Sequence, residues 1–174
     1  GIRVVYNDPR RFGAIDVCNS MELSTHKMIS NLGIEPLSNQ FNADFLFEKF
    51  KGSKTTIKAA LLNQRHVCGL GNIYVCEALW RSGISPLKLA GQIKINKIEL
   101  LTTAIRKVLL EAISSGGSSL KDFKNTEGAL GYFQHNFNVY DSEGNSCKTV
   151  GCCETIKKIV QAGRSTFFCN NCQR

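Results

Sequence analysis

The chain has 174 residues, 43% of them apolar, and carries a formal net charge of +8. That length can bury a real core and that apolar share excludes wholesale disorder; no stretch reaches the roughly 20 apolar residues a membrane helix needs, and Gly1-Ile2-Arg3-Val4-Val5-Tyr6 lacks the basic-then-apolar layout of a secretory signal. The charge favours a polyanionic partner, because Lys and Arg placed on phosphates release counterions and supply sequence-independent affinity for nucleic acid.

The first zone, residues 1–36, opens with a β-rich run at 2–6, a turn at Asn7-Asp8-Pro9 and a second strand-like run at 12–18, which together read as a hairpin. A short helical stretch at 24–32 follows and stops at Gly33. A lone hairpin is too small to bury a sheet, so this zone is expected to be the end of a larger domain, and the missing initiator Met fits a processed or truncated chain. Within it, Asp8-Pro9-Arg10-Arg11-Phe12-Gly13 puts two arginines and an aromatic at the turn. By alternation Arg10 and Phe12 would share one side of the chain. The residues alone suit a solvated turn over a buried Phe, or a wedge that fills the hole left by an extracted base while Arg bonds the abandoned partner.

The middle zone, residues 37–127, is helical. Phe41, Phe45, Leu46 and Phe50 mark one short helix, Ile57, Ala60 and Leu61 a second, and Ile73, Cys76, Leu79 and Trp80 a third. The fourth is the clearest, with Ile98, Leu101, Ile105, Val108, Leu109 and Ala112 at helical spacing and Ser114-Ser115-Gly116-Gly117 ending it. A short turn is expected at 120–123. Between the second and third helices, Cys68-Gly69-Leu70-Gly71-Asn72 allows sharp backbone geometry, with Asn72 as N-cap and free N–H groups suited to an anion. Because helices flank it, this glycine turn is not a nucleotide fingerprint.

The last zone, residues 128–174, holds five of the eight cysteines and strand-like runs at 137–140, 155–160 and 165–169. Cys147-x4-Cys152 is followed after 16 residues by Cys169-x2-Cys172. Two cysteine pairs joined by a hairpin bring four sulfurs to the corners of a tetrahedron, which zinc favours. So short a segment scarcely buries a core, and one structural Zn2+ replaces it. Cys153 competes with Cys152 for the fourth position; the spacing favours Cys152. With all positions filled by sulfur the site positions and does not catalyse. Arg164, at a hairpin turn around 161–164 with Lys157 and Lys158 nearby, reads as a phosphate probe or as a solvated basic turn. The three histidines, His26, His66 and His135, are dispersed.

In order along the chain, Asp8-Pro9-Arg10-Arg11-Phe12-Gly13, Gly69-Leu70-Gly71-Asn72-Ile73-Tyr74 and Gly163-Arg164-Ser165-Thr166-Phe167-Phe168-Cys169-x2-Cys172-Gln173-Arg174 resemble the formamidopyrimidine-DNA glycosylases, bacterial repair enzymes that remove 8-oxoguanine and ring-opened purines. The resemblance implies a mainly α fold with a little β: a remnant of a β-sandwich domain (1–36), a helix–two-turn–helix domain (37–127) and a four-cysteine zinc finger with a lesion-capping loop (128–174). It implies that Asn72 binds phosphate, that Lys58 lies near the lesion, that Arg10 faces the orphaned cytosine and that Phe12 intercalates. Tyr140 and Lys158 match phosphate contacts. Arg164 matches the finger arginine that holds the flipped nucleotide's phosphate and is assigned to δ-elimination, and Cys147, Cys152, Cys169 and Cys172 match the zinc ligands. The loop at 118–132 corresponds to the cover over an extruded 8-oxoguanine, which favours this family over the related endonuclease VIII type. The implied partner is duplex DNA with oxidised purines or abasic sites, bound by a monomer in the bacterial cytoplasm at the nucleoid.

The departure from the family is large. No Pro-Glu-Leu-Pro-Glu-like run supplies the family's proline nucleophile, and Ser53 stands where many relatives have a basic residue. These 174 residues alone are therefore expected to bind damaged DNA with little or no glycosylase activity, within a parent DNA glycosylase and AP lyase. Two other readings are a non-catalytic damage-binding module and a zinc-ribbon interaction protein.

Overall fold

The computed structural model describes residues 1–8, 11–118 and 131–174. Among them the helices are α1 (Ala43–Phe50), α2 (Ile57–Leu62), α3 (Asn72–Arg81) and α4 (Ile95–Ser114), and the strands are β1 (Ile156–Gln161) and β2 (Arg164–Cys169).

Local chemistry sets the helix ends. Asn42 Oδ1 accepts the Phe45 N–H at 2.9 Å and satisfies an otherwise orphaned donor at the start of α1. At the end of α4, Gly116 and Gly117 take φ of 69° and 90°. Their N–H groups return to the carbonyls of Ile113 and Ala112 at 3.0 and 2.8 Å, a Schellman closure. The stripe Ile98, Leu101, Ile105, Val108 and Ala112 is buried along α4, which packs on α3 and α1, while α2 packs on α3. One core results, centred on Phe41, Leu46, Phe50, Ile57, Leu61 and Leu79.

The finger is a two-stranded antiparallel hairpin whose register runs from Ile156↔Cys169 to Gln161↔Arg164. Its two-residue turn, Ala162-Gly163, has φ of 47° and 70°, both positive as a type I′ turn requires. β2 packs on α3. A second small core forms there from Cys76, Val139, Ile156 and Phe167 with Trp80 against it. Aromatic rings bridge the two cores: Tyr74–Phe133, Phe133–Phe137, Phe137–Tyr140 and Tyr140–Phe167, at centroid separations of 6.0, 5.6, 5.5 and 5.0 Å. At the C-terminus Gln173 is buried; it accepts from the Cys169 N–H at 2.9 Å and donates to the Ile84 carbonyl at 3.0 Å.

Four expected elements are not formed among the described residues. Neither 2–6 nor 12–18 is a strand among the described residues. Ile2, Val4 and Val17 are exposed and have no sheet face to cover them, and an isolated hairpin is marginal without one. The stretch at 24–32 contributes only the end of a 3-10 helix, Ser20–Thr25, followed by turns. Residues 137–140 are not a strand either, because the N–H groups of Asn138, Val139 and Tyr140 bond a carboxylate from α3, described below. The expected turn at 120–123, and all but the ends of the loop at 118–132, lie outside the described residues.

Candidate nucleic-acid interface and metal centre

The site is organised around one main-chain acceptor. The Ser165 carbonyl, next in the chain to Arg164, receives Lys58 Nζ at 3.0 Å and Asn72 Nδ2 at 2.9 Å. Lys58 is the second residue of α2 and Asn72 the first of α3, so the turn between those helices delivers both to the finger. Gly71, and not Asn72 as expected, is the N-cap of α3. It caps without a side chain, leaving the first-turn N–H groups of α3 with no side-chain cap among the described residues. The Asn72 amide is thereby released to reach β2. An amide nitrogen carries two hydrogens, so one remains for a further acceptor after Ser165; Asn72 Oδ1 is buried without a partner among the described residues.

Lys58 is fully buried, and its Nζ also donates to Thr166 Oγ1 at 2.6 Å. Burial pushes its pKa below the ordinary lysine value; the nearby Arg164 pushes the same way and the Cys76 thiol opposes. The side chain thus presents no charge to solvent, and holds the strand that carries Arg164. Arg164 itself is exposed and makes no ion pair among the described residues. Its guanidinium is available to an incoming anion, and planar bidentate donors suit phosphate oxygens.

The other expected contacts are spread more widely. Tyr140 is half-buried between the rings of Phe137 and Phe167. Lys158 does not sit at the turn beside Arg164: it pairs with Phe167 in the sheet, lies 5.7 Å over that ring and forms an ion pair with Glu143 at 3.3 Å. Lys157 likewise pairs with Phe168, well down the strand from the turn. Phe12 is 86% exposed and not the buried aromatic of a plain hairpin turn; Arg10 lies outside the described residues.

One residue that sequence reasoning missed holds the finger to the helices. Glu77, fully buried on α3, accepts the backbone N–H groups of Asn138, Val139 and Tyr140 at 2.9–3.0 Å and the Asn138 side-chain amide at 2.9 Å. A buried carboxylate is tolerated only when its lone pairs are met in this way. The signal was present in Val75-Cys76-Glu77-Ala78-Leu79, since Glu77 lies four residues after Ile73 and three before Trp80, on the apolar face.

In the finger, the sulfurs of Cys147, Cys152, Cys169 and Cys172 all lie within 4.8 Å of one another. The separations are 3.8 Å for Cys147–Cys172 and 3.7 Å for Cys152–Cys169. These are far too long for disulfides, and they match the roughly 3.8 Å edge of a tetrahedron with Zn–S near 2.3 Å. Asn171 Nδ2 lies 3.6 Å from Cys152 Sγ and Thr149 Oγ1 lies 3.4 Å from Cys147 Sγ, so the thiolates have hydrogen-bonding neighbours. Cys153 is exposed and outside the cluster.

Comparison with known proteins gives two family matches: the formamidopyrimidine-DNA glycosylase H2TH domain over residues 32–124, and the zinc finger found in FPG and IleRS over residues 152–174. The four-cysteine cluster is accordingly a site for one structural zinc ion. The formamidopyrimidine-DNA glycosylase of Dinoroseobacter shibae is 53% identical over 174 residues, which are 100% of this chain and 61% of that protein. That of a Ruegeria species is 52% identical and covered to 62%. The chain thus spans about three-fifths of the length of these curated relatives. The crystal structure of MutM (Fpg) from Thermus thermophilus superposes with a TM-score of 0.87 at 39% identity, over 95% of this chain and 62% of that one. Lactococcus lactis Fpg in complex with DNA containing an abasic site superposes at 0.80 and 37% identity, over 89% and 56%. No helix among the described residues is long and apolar enough to cross a membrane.

Proposed function

The chain belongs to the formamidopyrimidine-DNA glycosylase family, and from that premise we propose that it forms the DNA-gripping part of a base-excision repair glycosylase and AP lyase acting on oxidised purines. Residues 37–127 are the helix–two-turn–helix domain, residues 128–174 the zinc finger with its lesion-capping loop, and residues 1–36 the end of the partner domain. The protein acts on duplex DNA in the bacterial cytoplasm, at the nucleoid.

The observation that carries this reading is the convergence of Lys58 and Asn72 on the carbonyl beside Arg164. It supports reading the exposed Arg164 guanidinium, the spare hydrogen of the Asn72 amide and the first-turn N–H groups of α3 as three kinds of phosphate donor that act together. Tyr140 and Lys158 extend the grip along the finger. Arg10 and Phe12 act at the lesion itself, on the orphaned base and in the stack. Cys147, Cys152, Cys169 and Cys172 hold the zinc, which supplies no reacting group and keeps β1 and β2 in register so that Arg164 meets the flipped nucleotide's phosphate and serves the δ-elimination step. The relatives solved with abasic-site and Fapy-dG DNA support damaged DNA as the partner. The test is competition: zinc-loaded protein should prefer duplex with an abasic site over undamaged duplex of the same sequence, and equal affinity for both would remove damage recognition from the account.

A further inference from the structure

The Ser165 clamp holds Arg164 from the β2 side only. On the other side stands Gln161, its direct partner in the sheet. Gln161 reaches out of the hairpin: its Nε2 donates to the Pro86 carbonyl at 3.2 Å, in the segment that follows α3. Its Oε1 is buried and has no hydrogen-bond partner among the described residues. A half-satisfied amide adds little to stability, because the bond gained is offset by the acceptor left unmet. What the bond supplies is position. It ties the β1 end of the exposed Ala162-Gly163 turn to the helical body, while Lys58 and Asn72 tie the β2 end.

Resting on the reading of Arg164 as a phosphate contact, we infer that Gln161 is a positioning residue that fixes where the Arg164 guanidinium meets the DNA backbone. Arg164 is bracketed by two tethers to separate parts of the helical domain, and removing one lets the turn swing about the other.

The test is a double-mutant cycle on zinc-loaded protein, read as the affinity for a fluorescent duplex carrying a tetrahydrofuran abasic analogue. R164A should bind about tenfold more weakly. Q161L should lose about threefold to tenfold, the worth of one hydrogen bond, and Q161N, a methylene too short to reach Pro86, should lose the same. Zinc content of Q161L should match that of the parent, and Q161L should cost nothing further when added to R164A. If Q161L and Q161N bind like the parent while R164A does not, or if Q161L weakens R164A by its full factor, the positioning role is overturned and the reading of Arg164 stands. If R164A binds like the parent, both are overturned.

Discussion

Lys58 and Asn72, from two different helices, donate to the same atom, the carbonyl oxygen of Ser165, at 3.0 and 2.9 Å. The contacts span 107 and 93 residues of chain. They make the Arg164 end of the finger a fixed extension of the helical domain. Lys58 is the costlier of the two, a buried ammonium whose described partners are neutral oxygens.

Replacing it with an apolar side chain of similar length, K58M, removes that cost along with the clamp. Stability at pH 7 should change by no more than about 1 kcal/mol, while affinity for abasic duplex falls. The pH dependence has a defined sign. The folded-state pKa of Lys58 is depressed below 10.5, so between that lowered value and 10.5 the unfolded chain binds more protons and the parent gains stability as pH rises. The K58M variant has no such group to titrate. In urea unfolding from pH 7 to 10, the parent should gain on K58M; parallel curves would show that Lys58 titrates normally.

Zinc removal should separate the two cores. The helical core of α1–α4 is built from side chains outside the finger, apart from Phe133 and Phe137, whereas the β1–β2 hairpin depends on the metal. Chelation should abolish DNA binding and leave most of the helical circular dichroism, and complete loss of helix would contradict the division. C152S should lose zinc and C153S should retain one equivalent by metal analysis, since Cys153 stands outside the cluster.

Glu77 anchors the segment that leads into the finger, and E77Q replaces one acceptor oxygen with a donor that faces N–H groups. A loss of about 1–3 kcal/mol is expected, measured by urea unfolding. Trp80, the protein's single tryptophan, lies against the finger core and reports the undocking by fluorescence. An unchanged midpoint would mean that the three N–H groups find other partners.

Ala162 holds a φ of 47° at the first position of a two-residue turn where asparagine is favoured. A162N should stabilise the finger by roughly 0.5 kcal/mol, seen as slower zinc loss to a chelator; faster loss would contradict the I′ assignment.

What the sequence made legible was whatever repeats locally. The α4 stripe announces itself at 3.6-residue spacing, and the finger announces itself by cysteine pairs flanking a turn. The clamp and the Glu77 anchor were not legible as structure. Lys58, Asn72 and Glu77 find their partners 61 or more residues away, and a single sequence carries no sign of such pairings. Lys58 was legible as a family match but not as a buried tether. The run at 2–18 misled for the opposite reason: β-prone residues state a preference, and a preference becomes a strand only when a sheet face receives it.

The salt dependence of binding to abasic duplex bears most directly on the central claim, that a zinc-held hairpin presents Arg164 to a DNA phosphate beside the Asn72 helix. With about three cations engaged, the log–log slope of affinity against salt should lie near −3 for the parent and become shallower by about one for R164A. Zinc-loaded protein that ignores the duplex at low salt, or a slope that R164A leaves untouched, would contradict the account.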